Sequence, residues 1–431
     1  MSTPHTAHRT ARRHALRYTL ALVLGVAVVA GLGIGVGREP TLAVARTAAP
    51  AAVAAAVTLN GNHARPSEVD ALLYRTMQEI SANRLGTALT EIDKVIGTYP
   101  NFRLAHLIKG DLLLARRQPI TTVGNAEHAP LARIEDLRDE ARVRLARYHT
   151  ARPGAQVPRY LVQLDAEQRH ALVVDTSKST LYVFEHRNGE LRYVADYYTT
   201  IGKNGIDKNR EGDQKTPLGV YHVTSSIPRQ KLTDFYGTAA FPINYPNEWD
   251  RRQGRNGFGI WLHGTPSDTY SRPPRSSDGC VVLTNQDLEA IARNVQIGLT
   301  PVIIADGIEW VAADAMRVLR EELAQGLETW RRDWESLDTG RYLQHYAPGF
   351  TSGKLDLEQW AAHKRSVNSS KTWINVKLDK VSVYLYPGRD DLAVVTLDQI
   401  YASSNLENRM RKRLYWIREG GAWRIIHEGA A

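Results

Sequence analysis

The chain is 431 residues long, carries a net charge of +9 and contains a single cysteine, Cys280. One thiol excludes an internal disulfide framework, and the fourteen histidines show neither HxxxH spacing nor a CxxC partner, so no metal site and no cofactor is expected. The positive balance suits an anionic polymer or a membrane surface, and no nucleic-acid fold signature accompanies it, so nucleic acid is not an expected partner.

At the N-terminus, Arg9, Arg12, Arg13 and Arg17 precede an uncharged stretch from Tyr18 to Gly37. At about 1.5 Å per helical residue this stretch can cross a hydrocarbon core of ~30 Å. Positive charge before the span places the N-terminus in the cytoplasm and the remainder outside, so the expected location is the periplasm, with one N-terminal span in the inner membrane. The alternative is a signal peptide cleaved near Ala43-Val44-Ala45, giving a secreted protein; the length of the apolar stretch favours the anchor. Residues 1–65 are therefore read as cytoplasmic N-terminus, transmembrane or signal segment and an Ala/Val/Thr/Pro linker.

Residues 66–155 read as a helical segment. Val69, Leu72, Leu73, Met77 and Ile80 repeat at helical spacing, as do Leu85, Ala88, Leu89, Ile92, Val95 and Ile96. Tyr99-Pro100-Asn101 interrupts the pattern before Phe102 to Leu112 resume it, an order that resembles one tetratricopeptide-like unit. A further helix is predicted over 131–148. Either a spacer or a docking surface for wall-assembly partners would account for this segment.

From residue 160 to 308 the period becomes strand-like, with short runs at 171–175, 180–184 and 191–200 and turn residues at 176–179. Phe258 to Leu262 reads as an apolar strand that ends at His263. Over 312–431 a long helix containing Trp330 and Trp334 precedes strands at 374–386, 391–401, 411–418 and 422–427, with Gly420-Gly421 as a hairpin turn. The fold class is thus α+β and multidomain.

The chemistry concentrates at Cys280, in Ser276-Ser277-Asp278-Gly279-Cys280-Val281-Val282-Leu283. A thiol attacks a carbonyl when a base takes its proton and when donors await the oxyanion. His263 is the candidate base, and the Gly264 carbonyl is the group available to orient its ring. The amides of Gly279 and Cys280, with that of Asp278 as a third donor, are the candidate oxyanion hole. Tyr245, Trp261, Thr265, Arg272, Arg275 and Ser277 are candidate substrate contacts. Arginine suits substrate carboxylates because it can bind them with two parallel hydrogen bonds.

His263-Gly264-Thr265, a loop, and Ser277-Asp278-Gly279-Cys280-Val281-Val282-Leu283 resemble the signature of the L,D-transpeptidase (YkuD) catalytic domain. Gly212-Asp213-Gln214-Lys215-Thr216-Pro217-Leu218-Gly219-Val220-Tyr221 matches its second hallmark. The resemblance implies a β-sandwich-like domain over about 168–305. It also implies a cysteine nucleophile, Cys280, acting with His263 and Gly264 on the bond between meso-diaminopimelate and D-alanine in peptidoglycan stem peptides. Most members carry histidine where Asp278 stands.

The segments Asn244-Tyr245-Pro246-Asn247 and Gly259 to Pro266 look like those of the murein-trimming and lipoprotein-releasing branch, some of whose members carry a C-terminal NTF2-like cone. That branch implies hydrolysis, an L,D-carboxypeptidase. The alternatives are L,D-transpeptidation, giving 3-3 crosslinks or attaching or releasing wall-linked protein, and a non-catalytic wall-binding scaffold. A homodimer is a further expectation from the cone-type domain.

Overall fold

A computed structural model describes residues 68–431, apart from 121 and 127. The expected membrane span and linker lie outside the described residues. Among the described residues, no helix is long and apolar enough to cross a membrane.

The helical segment contains α1 (Glu68–Ser81), α2 (Leu85–Thr98), α3 (Arg103–Leu114) and α4 (Leu131–His149). The residues that set its helical period are the ones it buries: Val69, Leu72, Ala88, Ile92, Val95, Phe102, Leu104 and Ile108 form one apolar cluster. Burial of such a stripe, more than propensity, holds helices of this length together.

The β-rich region is built on a five-stranded sheet in the spatial order 190–198, 180–187, 170–175, 301–305 and 219–222. Side chains alternate between its faces. Leu172, Val174, Leu181, Val183, Val302 and Ile304 point into a core shared with Phe241, Leu262 and Val281 of a second, four-stranded sheet. Val173, Tyr182, Phe184, Val220 and Ile303 point the other way, into the core shared with the C-terminal region. Both faces are covered, which is why Ala171–Val174 reads as an unbroken apolar run. Two helices complete the region: α5 (Glu248–Arg252), closed by a capping box between Asn247 and Asp250, and α6 (Asn285–Ala292).

In the C-terminal region, α7 (Arg317–Glu335), α8 (Thr339–Leu343) and α9 (Leu357–Ser369) pack against a seven-stranded sheet. Its strands 374–385, 392–403, 406–419 and 422–430 are antiparallel neighbours. The third begins at Leu406 rather than at 411, because its register with 392–403 continues without a break to the turn at 404–405. Gly420 and Gly421 both adopt positive φ, 58° and 81°, as a tight hairpin turn requires. Inside the cone the Lys412–Glu428 pair is buried at 3.0 Å, and Lys364 lies over the rings of Trp360 and Trp334.

One short strand crosses between regions. Leu161–Gln163, at the start of the strand-like region, pairs with Val383 and Tyr384 of the C-terminal sheet. The anticipated strand Phe258–Leu262 is also shorter than expected. Only Trp261–His263 is extended, and Phe258 is 73% exposed between Gly257 and Gly259, whose φ values are 102° and 76°.

Candidate active site

The strand Trp261–His263 runs parallel to Val281–Val282, with Leu262 opposite Val281 and His263 opposite Val282. Leu262 and Val281 fill the core, so the alternation of the pleat turns His263 and Cys280 toward the opposite face. Two residues seventeen positions apart are thereby brought to the same face of neighbouring strands.

The loop before the thiol is held by three polar contacts. Ser277 Oγ donates to the Cys280 carbonyl at 2.6 Å and accepts the Gly279 N–H at 3.2 Å. Thr216 Oγ1 donates to the Gly279 carbonyl at 2.9 Å and accepts the Gly202 N–H at 2.9 Å. The segment Gly212–Tyr221 is thereby fastened to the Cys280 loop. Gly279 sits at φ 124°, and a Cβ there would lie 2.6 Å from the Lys215 carbonyl oxygen, so the loop's close approach requires glycine.

His263 is buried, and its Nδ1 lies 2.7 Å from the Gly264 carbonyl oxygen. A carbonyl only accepts, so Nδ1 carries the hydrogen and Nε2 keeps the lone pair a base needs. Aromatic rings wall the imidazole: Tyr236 stands edge-on at 5.1 Å between centroids, and Phe235 lies at 6.1 Å. Tyr236 also packs on Trp261 at 4.8 Å and accepts the Gly264 N–H at 3.0 Å on its carbonyl. Phe235 and Tyr236 were missed in the sequence reading. Their one local signal is an aromatic pair closed by Gly237.

The thiol was expected to be ionised by the imidazole. Instead it donates to the Gly259 carbonyl at 3.3 Å. Burial pushes the thiol up to about 11, against a hydrogen bond from the Trp261 backbone N–H. Burial lowers His263 to about 4, opposed by the bond to Gly264 and reinforced by Arg272. Burial thus favours the neutral form of both groups at pH 7. The rate of Cys280 alkylation by iodoacetamide should accordingly rise about tenfold per pH unit from pH 7 to 10. A plateau through neutral pH would instead mean a resting thiolate–imidazolium pair. His263 also bears on stability. An unfolded histidine binds a proton near ~6.5 whereas the folded one resists to about 4, so His263 withdraws stability as pH falls through that window and has no such effect above it.

The remaining expected site residues divide. Arg272 is half-buried, stacks over Phe235 at 4.4 Å and pairs with no carboxylate among the described residues; its charge acts on both His263 and Cys280. Trp261 is half-buried in the aromatic wall, and Arg275 is exposed on a strand beside Ile201. Asp278 is exposed, accepts from Gln214 Nε2 at 3.0 Å and lies 3.9 Å from Lys203 Nζ. Its carboxylate is thus a surface charge near the thiol, which it helps to raise.

Three expected substrate contacts are structural. Tyr245 is buried in the core with its hydroxyl on the Asn256 carbonyl at 3.0 Å. Thr265 is buried, donating through Oγ1 to the Tyr270 carbonyl at 3.3 Å. Ser277 is the turn staple already described. Of the expected oxyanion donors, the Gly279 amide is occupied by Ser277 Oγ, because the turn needs that bond to hold its shape. No group of three or more potential metal ligands occurs among the described residues.

Comparison with known proteins agrees with this architecture. Residues 169–304 match the L,D-transpeptidase catalytic domain, and residues 322–429 match the Cds6 C-terminal NTF2-like domain. The structure of Bdellovibrio bacteriovorus Bd1075 aligns with a TM-score of 0.56 at 30% identity, covering 64% of this chain and 98% of that one. The helical cell shape determining protein Pgp2 from Campylobacter jejuni aligns with a TM-score of 0.56 at 27% identity, covering 63% of this chain and 95% of that one. No curated protein matches. The chain belongs to the L,D-transpeptidase catalytic domain family and carries a C-terminal NTF2-like domain.

Proposed function

We propose that this protein is a peptidoglycan L,D-carboxypeptidase acting on the meso-diaminopimelate/D-alanine bond of stem peptides. The observation that carries this reading is the neutral, buried His263, with Nδ1 fixed on Gly264 and Nε2 left basic, on the same sheet face as Cys280. The Cys280 sulfur bonds to the scissile carbonyl carbon while its proton passes to His263 Nε2. The Cys280 and Asp278 amides receive the negative oxygen. Collapse breaks the C–N bond, and the imidazolium returns its proton to the departing D-alanine amine. Water then attacks the thioester with His263 again as base, releasing the shortened peptide and restoring the thiol.

Half-buried Arg272 donates to the Phe235 carbonyl at 3.4 Å but has no ion-pair partner among the described residues, and its charge acts on both His263 and Cys280, which suits it to receive a substrate carboxylate. The reading locates the enzyme in the periplasm, tethered through residues 18–37, and similarity to a helical cell shape determining protein supports a role in shaping the wall. Incubating the purified protein with muropeptides and weighing the products tests the reaction. Loss of terminal D-alanine is expected; coupled dimers would make it a transpeptidase, and unchanged substrate a scaffold.

A further inference from the structure

A hollow stands away from the thiol. A pocket of about 180 Å³ lies between the turn joining α2 to α3 and the loop from Thr265 to Tyr270 that follows the catalytic histidine. Its two sides are tied together: Asn101 Nδ2 donates to the Ser267 carbonyl at 3.1 Å, and the Tyr270 N–H donates to the Asn101 carbonyl at 3.3 Å. Asn285, on its floor, packs so closely on Gly264 that a Cβ there would meet its Oδ1 at 2.0 Å. The pocket's lining residue Asn285 thus abuts the glycine whose carbonyl orients His263.

The walls define the ligand's chemistry. None of the eleven lining residues is charged, so an ion entering would lose hydration without gaining a counter-charge. Tyr99 and Tyr270 pack ring against ring at 4.4 Å and form an aromatic wall. Hydroxyl and amide side chains supply most of the rest. Neither the Tyr99 hydroxyl nor the Gln286 side-chain amide has a hydrogen-bond partner among the described residues, which leaves both available to a ligand. The volume is below the roughly 300–1,000 Å³ of pockets that hold drug-sized molecules, and suits one ring. An uncharged ring with a C–H face for the tyrosines and hydroxyl and amide groups for the remainder is a sugar bearing an acetamido group.

We propose that this pocket is a subsite for one N-acetylated sugar ring of the glycan strand whose stem peptide enters the Cys280 cleft. The proposal rests on the peptidoglycan reading. It makes the helical segment part of substrate recognition, since Tyr99 and Asn101 come from it.

The test uses the full-length protein and peptide-free N-acetylglucosamine oligomers as the probe, with binding followed by calorimetry. The oligomer should bind, and Tyr99→Phe combined with Gln286→Ala, which spare the packing, should weaken it about five- to tenfold. With intact sacculi the same variant should raise KM by a similar factor at unchanged kcat, while cleavage of a free tetrapeptide stays as in the parent. Absence of oligomer binding, equal binding by the variant, or displacement of the oligomer by sugar-free stem peptide would each overturn the proposal. If neither sacculi nor tetrapeptide is cleaved, the enzymatic reading fails, and oligomer binding still decides whether the pocket takes sugar.

Discussion

Replacing Cys280 with alanine is expected to lower D-alanine release by a factor on the order of 10⁴ or more, with little change in unfolding temperature. The thiol supplies the only covalent bond the enzyme makes to its substrate in the proposed reaction, and its side chain is held only by the bond it donates to the Gly259 carbonyl and the one it receives from the Trp261 N–H. Serine should rescue little. A hydroxyl is less acidic than even this raised thiol, and His263, held to about 4, is a weak base for it. His263→Ala should cost about as much as Cys280→Ala, and the double variant no more than either, because nucleophile and base act as one unit. Kinetics on a tetrapeptide together with thermal unfolding would check this. Residual activity above about one per cent in Cys280→Ala would place the nucleophile elsewhere.

Arg144→Met should destabilise the protein by about 3–5 kcal/mol. The guanidinium is only 2% exposed. It donates to Glu140 at 2.9 Å and to Asp70 at 2.8 Å, and lies over Tyr198 at 4.0 Å. Burial opposes its charge, and the two carboxylates more than offset burial. Burial also raises Glu140, with Arg144 and Ser271 acting against the rise. Without Arg144 the folded state must hold Glu140 as the neutral acid. A carboxyl whose folded pKa lies above its unfolded value contributes stability at low pH and loses it as pH rises through the folded pKa. The deficit of Arg144→Met relative to the parent should therefore shrink at pH 5 and widen at pH 8. Adding Glu140→Gln should recover part of it. Urea unfolding at the two pH values decides the matter, and a pH-independent loss below 1 kcal/mol would show that the cluster tolerates its broken pair. Activity should fall as well, because Glu140 also accepts from Ser271 Oγ at 2.6 Å, next to Arg272.

What the sequence disclosed depended on how local the signal was. The helices over 68–149 follow from apolar spacing. The thiol, the imidazole and the Gly264 carbonyl lie in two short motifs, and Thr216 ties the Gly212–Tyr221 segment to the Gly279 carbonyl. Residues whose partners lie outside the motifs were less legible. Tyr245 and Thr265 carry polar groups near the motifs, yet their partners, Asn256 and Tyr270, turn those groups into internal braces. Phe235 and Tyr236 lie about thirty residues before His263 and face it only because Gly264 hydrogen-bonds to Tyr236. Helix α9 had a local signal that went unused, the capping box of Asp356 and Gln359.

The central sheet of the β-rich region has no wet side, since the C-terminal cone covers what would be its back. Cutting the chain after residue 308 would strip Val173, Tyr182, Phe184, Val220 and Ile303 of that cover and leave a sticky slab in place of an enzyme. Appended modules are commonly treated as detachable. Here the accessory domain and the catalytic one form a single folding investment, so a truncated protein that precipitates would say nothing about whether the cone takes part in catalysis.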